Sequence, residues 1–92
     1  MRILVTPTCE RSVKKLHKPQ KAALDEAVRA IASQPNAGES KVGDLAGVQV
    51  YEFRMGSLLC LLAYRVLDER TLKLLMLGPH ENFYREFKRD EH

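Results

Sequence analysis

Apolar and polar positions alternate along this chain with two different periods, and the change between them divides it. In the N-terminal third the apolar residues recur at helical spacing. Cys9, Val13 and Leu16 form an i, i+4, i+7 stripe, and Leu24, Ala27, Val28 and Ile31 form a second one. Thr6-Pro7 opens the first helix, Thr as the N-cap and Pro in the first helical position. Pro19 starts the second helix, which must stop before Pro35, because a residue ahead of proline avoids the helical region. Arg2 to Val5 reads as a short strand before both helices.

The stretch from Asn36 to Gly47 is polar, contains Gly38, Gly43 and Gly47, and is expected to be a loop. From Val48 the period becomes two. Val48, Val50, Glu52 and Arg54 face one way, and Gln49, Tyr51, Phe53 and Met55 the other. Gly56-Ser57 turns the chain as a hairpin. Leu58 to Leu67 is too uniformly apolar for an edge strand and belongs at the sheet centre, buried on both faces. Asp68-Glu69-Arg70 makes the next turn, and Thr71 to Leu77 a further strand, which Gly78-Pro79 should stop. A short helix follows, with Phe83 and Phe87 as its buried face. The order is βααβββα, an α+β fold in which a small antiparallel-rich sheet packs on an N-terminal helical hairpin and a short helix closes the chain.

Ninety-two residues with 45% apolar and 29% charged content make one folded domain, residues 1–92. The longest apolar run, Leu58 to Tyr64, falls far short of the ~20 residues that span a bilayer. No secretory leader is visible at the N-terminus, so a cytoplasmic location is expected. Two cysteines, Cys9 and Cys60, lack metal-ligand spacing and are expected as buried thiols. The net charge of +3 is unevenly placed. Arg11, Lys14, Lys15, Lys18, Lys21 and Arg29 outnumber Glu10, Asp25 and Glu26 along the helical hairpin. That flank either meets phosphate or an acidic partner, or is a solvated face.

The candidate chemistry lies in the second half. Glu52 and Arg54 share the strand face opposite the aromatics. Arg65 interrupts an apolar strand with the parity of Leu61 and Ala63. His80 and Tyr84 stand four apart after the last strand. Brought to one concave surface, these residues suit RNA cleavage. Attack by a 2′-hydroxyl on the adjacent phosphate needs a base, an acid for the leaving oxygen and positive charge on the phosphorane. Glu or His serves as base, Arg holds phosphate in a fork, and Tyr donates a proton or stacks on a base. Each residue also has a purely structural explanation. His80 can cap and Tyr84 can be half-buried, Glu52 and Arg54 can be solvated, and Arg65 can pair with Asp68 or Glu69.

The order of elements, the basic hairpin and the closing His-x-x-x-Tyr resemble the RelE/ParE superfamily, the toxins of bacterial type II toxin–antitoxin pairs. The resemblance runs through Val13-Lys14-Lys15-Leu16, Gly43-Asp44-Leu45-Ala46-Gly47, Val50-Tyr51-Glu52-Phe53-Arg54, Leu62-Ala63-Tyr64-Arg65-Val66 and Leu77-Gly78-Pro79-His80-Glu81-Asn82-Phe83-Tyr84. It implies either of two activities: ribosome-dependent, metal-independent mRNA cleavage by RelE-like members, or poisoning of DNA gyrase by ParE-like members. For the nuclease it implies Arg54 and Arg65 on phosphate, His80 as acid or base, and Tyr84 as the C-terminal tyrosine. Glu39, as in the YoeB-like branch, or Glu52 is the candidate general base, and Lys14, Lys15, Lys18 and Lys21 would contact RNA phosphates. No metal or cofactor is implied. RelE-like nucleases usually carry an arginine three residues before the central-strand tyrosine; here that position is Leu61. The implied partners are a cognate antitoxin that wraps the domain, together with ribosome and mRNA or, on the alternative, gyrase; no membrane is implied.

Overall fold

A computed structural model describes residues 1–91, with side chains through Arg89. The elements in chain order are β1 (Arg2–Val5), α1 (Pro7–Lys14), α2 (Lys18–Ser33), β2 (Glu39–Ser40), a 3-10 turn (Gly43–Leu45), β3 (Gln49–Met55), β4 (Leu58–Asp68), β5 (Thr71–Pro79) and α3 (Phe83–Glu91). The strands form one sheet in the order β1-β5-β4-β3-β2. The β1–β5 pair is parallel and the others are antiparallel. The α+β class and the order of helices and long strands therefore stand as the sequence predicts.

Local chemistry accounts for the helix starts. Thr6 accepts the Cys9 N–H at 3.1 Å, and Pro7 follows it without an N–H to satisfy. The Thr6 hydroxyl also donates to the Leu75 carbonyl at 2.7 Å, which fastens the start of α1 to the sheet. At α2 the Gln20 side-chain oxygen accepts the His17 N–H at 2.8 Å.

The sheet separates two cores. On one face Cys9, Leu24 and Ile31 from the helical hairpin pack on Met55, Cys60, Leu62, Tyr64, Leu72, Leu74 and Leu77. Tyr51 and Phe53 join this face, as their parity requires. On the other face Phe83 and Phe87 of α3 pack on Val48, Val50, Leu61, Ala63, Leu75 and Met76, with Leu45 from the loop. Strand β4, central in the sheet, is buried on both faces from Cys60 to Tyr64. Leu75 and Met76 are neighbours in sequence yet lie in the same core. The register explains this: Ala63 pairs with Met76 and Tyr64 with Leu74, so β5 bulges at Leu75. Both cysteines are buried and free.

Two details depart from the sequence reading. The Asn36–Gly47 segment is not all loop, since Glu39 and Ser40 pair with Val50 and Gln49. Gly78-Pro79 does not stop β5 but ends it, paired with Leu61 and Cys60. Beyond Leu74 no β1 residue pairs with β5, so a proline there removes no bond to a second neighbour.

Candidate functional site

Alpha-helix α3 is short, and it leaves part of its sheet face open. Its placement is set by three residues. Gly78 carries no side chain, and Phe83 occupies the space that it leaves, with Cδ1 3.6 Å from where a Cβ would stand. Asn82 takes a left-handed conformation (φ 62°), which asparagine tolerates better than most residues. Its carbonyl accepts the Glu86 N–H at 3.1 Å and begins the helical ladder. Phe83 and Phe87 then point into the core, and Tyr84 is left half-buried at the helix edge.

Beside α3 lies a cavity of about 340 Å³, lined by Ala37, Glu39, Val50, Tyr51, Glu52, Leu61, His80 and Tyr84. Four of the sequence-nominated residues thus meet here: Glu39, Glu52, His80 and Tyr84. Glu52 comes from β3, opposite Leu61 of β4, which pairs in turn with Gly78. Leu61 is buried and lines the cavity. His80 precedes α3 and does not lie on its first turn; its backbone N–H bonds to the Leu59 carbonyl at 2.9 Å.

Glu39 owes its position to Tyr64. The fully buried Tyr64 hydroxyl donates to the Pro35 carbonyl at 2.7 Å and accepts the Gly38 N–H at 2.9 Å. The Gln49 side chain lies 3.0 Å from the same oxygen. Burial is the main cause that raises the Tyr64 pKa, so it stays a neutral phenol and clamps the segment ahead of β2.

Lys41 is the residue that sequence reasoning missed. Its ammonium lies 3.1 Å from Glu39 Oε1 and 4.8 Å from the centre of the Tyr84 ring. The contact with the Tyr84 hydroxyl raises its pKa first, and burial opposes this; the Glu39 carboxylate adds to the rise. A signal was present in the sequence. Glu39 and Lys41 are two apart, so an extended segment presents both on one side.

The remaining nominated residues lie elsewhere. Arg54 is exposed at the hairpin end, and its guanidinium donates to the Ser57 carbonyl at 3.3 Å. It pairs in register with Leu59, whose carbonyl holds His80, so Arg54 stands at the same end of the sheet but outside the cavity lining. Arg65 makes no ion pair with Asp68 or Glu69. It donates to the Ala46 carbonyl at 3.2 Å and rests against Gly47, away from the cavity. Lys14, Lys15, Lys18 and Lys21 are exposed on α1, α2 and their junction. These helices cover the other face of the sheet. Lys14 pairs with Glu10 at 3.2 Å. Among the described residues no three His, Cys, Asp or Glu side chains are placed to hold a metal ion. No described helix is long and apolar enough to cross a membrane.

The fold is similar to that of known toxins. A double-arginine variant of the Escherichia coli toxin RelE in the free state superposes with a TM-score of 0.74 at 17% identity, covering 97% of this chain and 95% of that one. A chain of the intact E. coli RelBE toxin–antitoxin complex gives 0.71 at 17% identity over 87% and 96%. A chain of the toxin–antitoxin complex RelBE2 from Mycobacterium tuberculosis gives 0.66 at 27% identity over 86% and 96%. No curated protein sequence matches the chain. The pattern of ParE-like toxins of type II bacterial toxin–antitoxin systems matches residues 3–88. With nearly the whole length matched, the chain belongs to this ParE-like toxin family of type II toxin–antitoxin systems.

Proposed function

We propose that this toxin inhibits growth by ribosome-dependent, metal-independent endonucleolytic cleavage of mRNA. The observation that carries the reading is the meeting of Glu39, Glu52, His80 and Tyr84 around one cavity. In the reaction the 2′-hydroxyl oxygen attacks the adjacent phosphorus, and its proton passes to the Glu39 or Glu52 carboxylate. The bond between phosphorus and the 5′-oxygen breaks as the His80 imidazolium protonates that oxygen. The products are a 2′,3′-cyclic phosphate and a 5′-hydroxyl. Tyr84 stacks on a base or donates a hydrogen bond to the phosphate. Arg54, near His80, is the arginine best placed to reach phosphate; Arg65 would have to leave the Ala46 carbonyl to do so. Lys14, Lys15, Lys18 and Lys21 would meet ribosomal RNA from the opposite layer.

A cognate antitoxin belongs to the same reading. The E. coli RelBE and M. tuberculosis RelBE2 structures are toxin–antitoxin complexes. Exposed Leu4 and Val5 on edge strand β1, with Val66 and Leu67, offer apolar surface for such a segment.

One observation favours a second reading, in which the chain binds and poisons DNA gyrase without chemistry of its own. Buried Leu61, not an arginine, faces the cavity, and no arginine lines it. A His80→Ala/Tyr84→Phe double variant separates the two. Under the nuclease reading it loses about 10²-fold or more of the message cleavage seen by primer extension on translating ribosomes. Undiminished toxicity in the folded double variant, with intact messages and stalled gyrase complexes, would establish the gyrase reading instead.

A further inference from the structure

A second cavity, of about 430 Å³, adjoins the first. The two share Glu39 and Tyr84 in their walls, so they lie on either side of one tyrosine. Their charges differ. The described ionisable side chains of the first cavity are Glu39, Tyr51, Glu52, His80 and Tyr84, none of them a permanent cation. The second adds Lys41 and Lys88, with carboxylates from Glu39 and Asp44. Lys41 already neutralises Glu39 at 3.1 Å. Lys88 lies four residues after Tyr84 and so stands one helical turn along the same edge of α3. Arg85 and Arg89, both exposed, continue the positive charge around the outer side of that helix.

A strand of RNA cut in the first cavity has to leave it, with one negative charge per nucleotide. Lys14, Lys15, Lys18 and Lys21 are carried by the helices that cover the other face of the sheet and line neither cavity. We propose that the second cavity is a phosphate subsite for single-stranded RNA flanking the cleaved bond. Lys41 and Lys88 are its cations, and the Tyr84 ring is the wall over which the strand passes. The proposal rests on the nuclease reading above and adds the direction in which the substrate runs. A purely acidic protein segment suits the groove less well, because it brings no base to stack on Tyr84.

The test is binding of the purified chain to a fluorescent single-stranded 2′-O-methyl oligoribonucleotide, which lacks the attacking hydroxyl, followed by anisotropy over a salt series. Lys41→Gln/Lys88→Gln is expected to weaken binding several-fold. It is also expected to flatten the log–log salt slope by about 0.7 for each lysine that meets a phosphate. Lys41→Arg/Lys88→Arg is expected to retain both affinity and slope, and Arg70→Gln, in the exposed turn between β4 and β5, to change neither. Circular dichroism confirms that each variant is folded. Unchanged affinity and slope in the double glutamine variant would overturn the subsite and leave the nuclease reading intact. A wild-type chain that neither binds this RNA nor cleaves messages on ribosomes would overturn both. Loss of polyglutamate binding with RNA binding retained would assign the cavity to an acidic protein.

Discussion

The two faces of the sheet are built from the same strands and are covered to very different extents. The helical hairpin brings two helices, and its face closes over a core that includes fully buried Cys9, Ile31, Leu62 and Leu72. The other face has only α3, anchored through Phe83 and Phe87, and the uncovered part becomes the cavity with Glu52 and His80 at its wall. The fuller cover of two helices serves stability. Incomplete coverage leaves polar groups hydrated at the end of an ordered sheet, where a substrate can displace the water.

Weakening each face separately should have unequal consequences. Phe87→Ala is expected to cost about 3–5 kcal/mol and to remove growth inhibition as well, since Tyr84 rides on the same short helix. Ile31→Ala is expected to cost about 2–5 kcal/mol, but at a temperature where circular dichroism shows it folded it should still inhibit growth. If both variants lose inhibition in proportion to their stability, the two faces have no separate roles.

Gly38→Ala tests the link between them. Its Cβ would stand 2.8 Å from the Tyr64 hydroxyl oxygen and 3.1 Å from the Val50 carbonyl carbon, and neither a buried ring nor a strand backbone yields readily. A loss of about 1–3 kcal/mol is expected in urea unfolding, with Glu39 displaced and activity reduced beyond the stability change. Thr6→Ala acts at the start of α1 and on its tie to β5, outside the lining of the cavity. Without the cap and its bond to Leu75 it should cost about 1 kcal/mol and leave the activity of the folded fraction unaltered.

The smallest effect concerns Cys9. Burial pushes its thiol from 9.0 up to about 11. The unfolded chain releases this proton first, so the contribution to stability is complete below pH 9 and is lost as pH rises through about 11. Cys9 should therefore resist iodoacetamide at pH 8 in the native chain and react once urea unfolds it. Fast native labelling would show that the hairpin face opens as readily as the other.

Much of this architecture was legible because it rests on local rules. The Thr6-Pro7 start, the two helical stripes, the period change at Val48 and the Gly56-Ser57 turn each carry their own signal. Strand β2 carried none, being two polar residues held in place by pairing with Val50 and Gln49. His80, Tyr84, Glu39 and Glu52 could be nominated from residue type and resemblance. Which helix covers which face is decided by strand order, and no local pattern encodes it. Hence the lysines of the hairpin, conspicuous in the sequence, lie opposite the cavity, whereas Lys41, a single residue in a polar stretch, stands beside it.

The bond between Thr6 and Leu75 joins residues 69 apart in sequence. Its neighbour in the structure, the parallel pair of β1 with β5, closes a loop of the same order. The hairpins β3–β4 and β4–β5 need only short turns and can form early. Strand β1 and the two helices leave the ribosome first but have no sheet to dock on until Thr71–Leu74 has been made. Closure of β1 is thus a late event in synthesis, and the toxin cannot complete its structure on the ribosome that is making it until β5 has emerged.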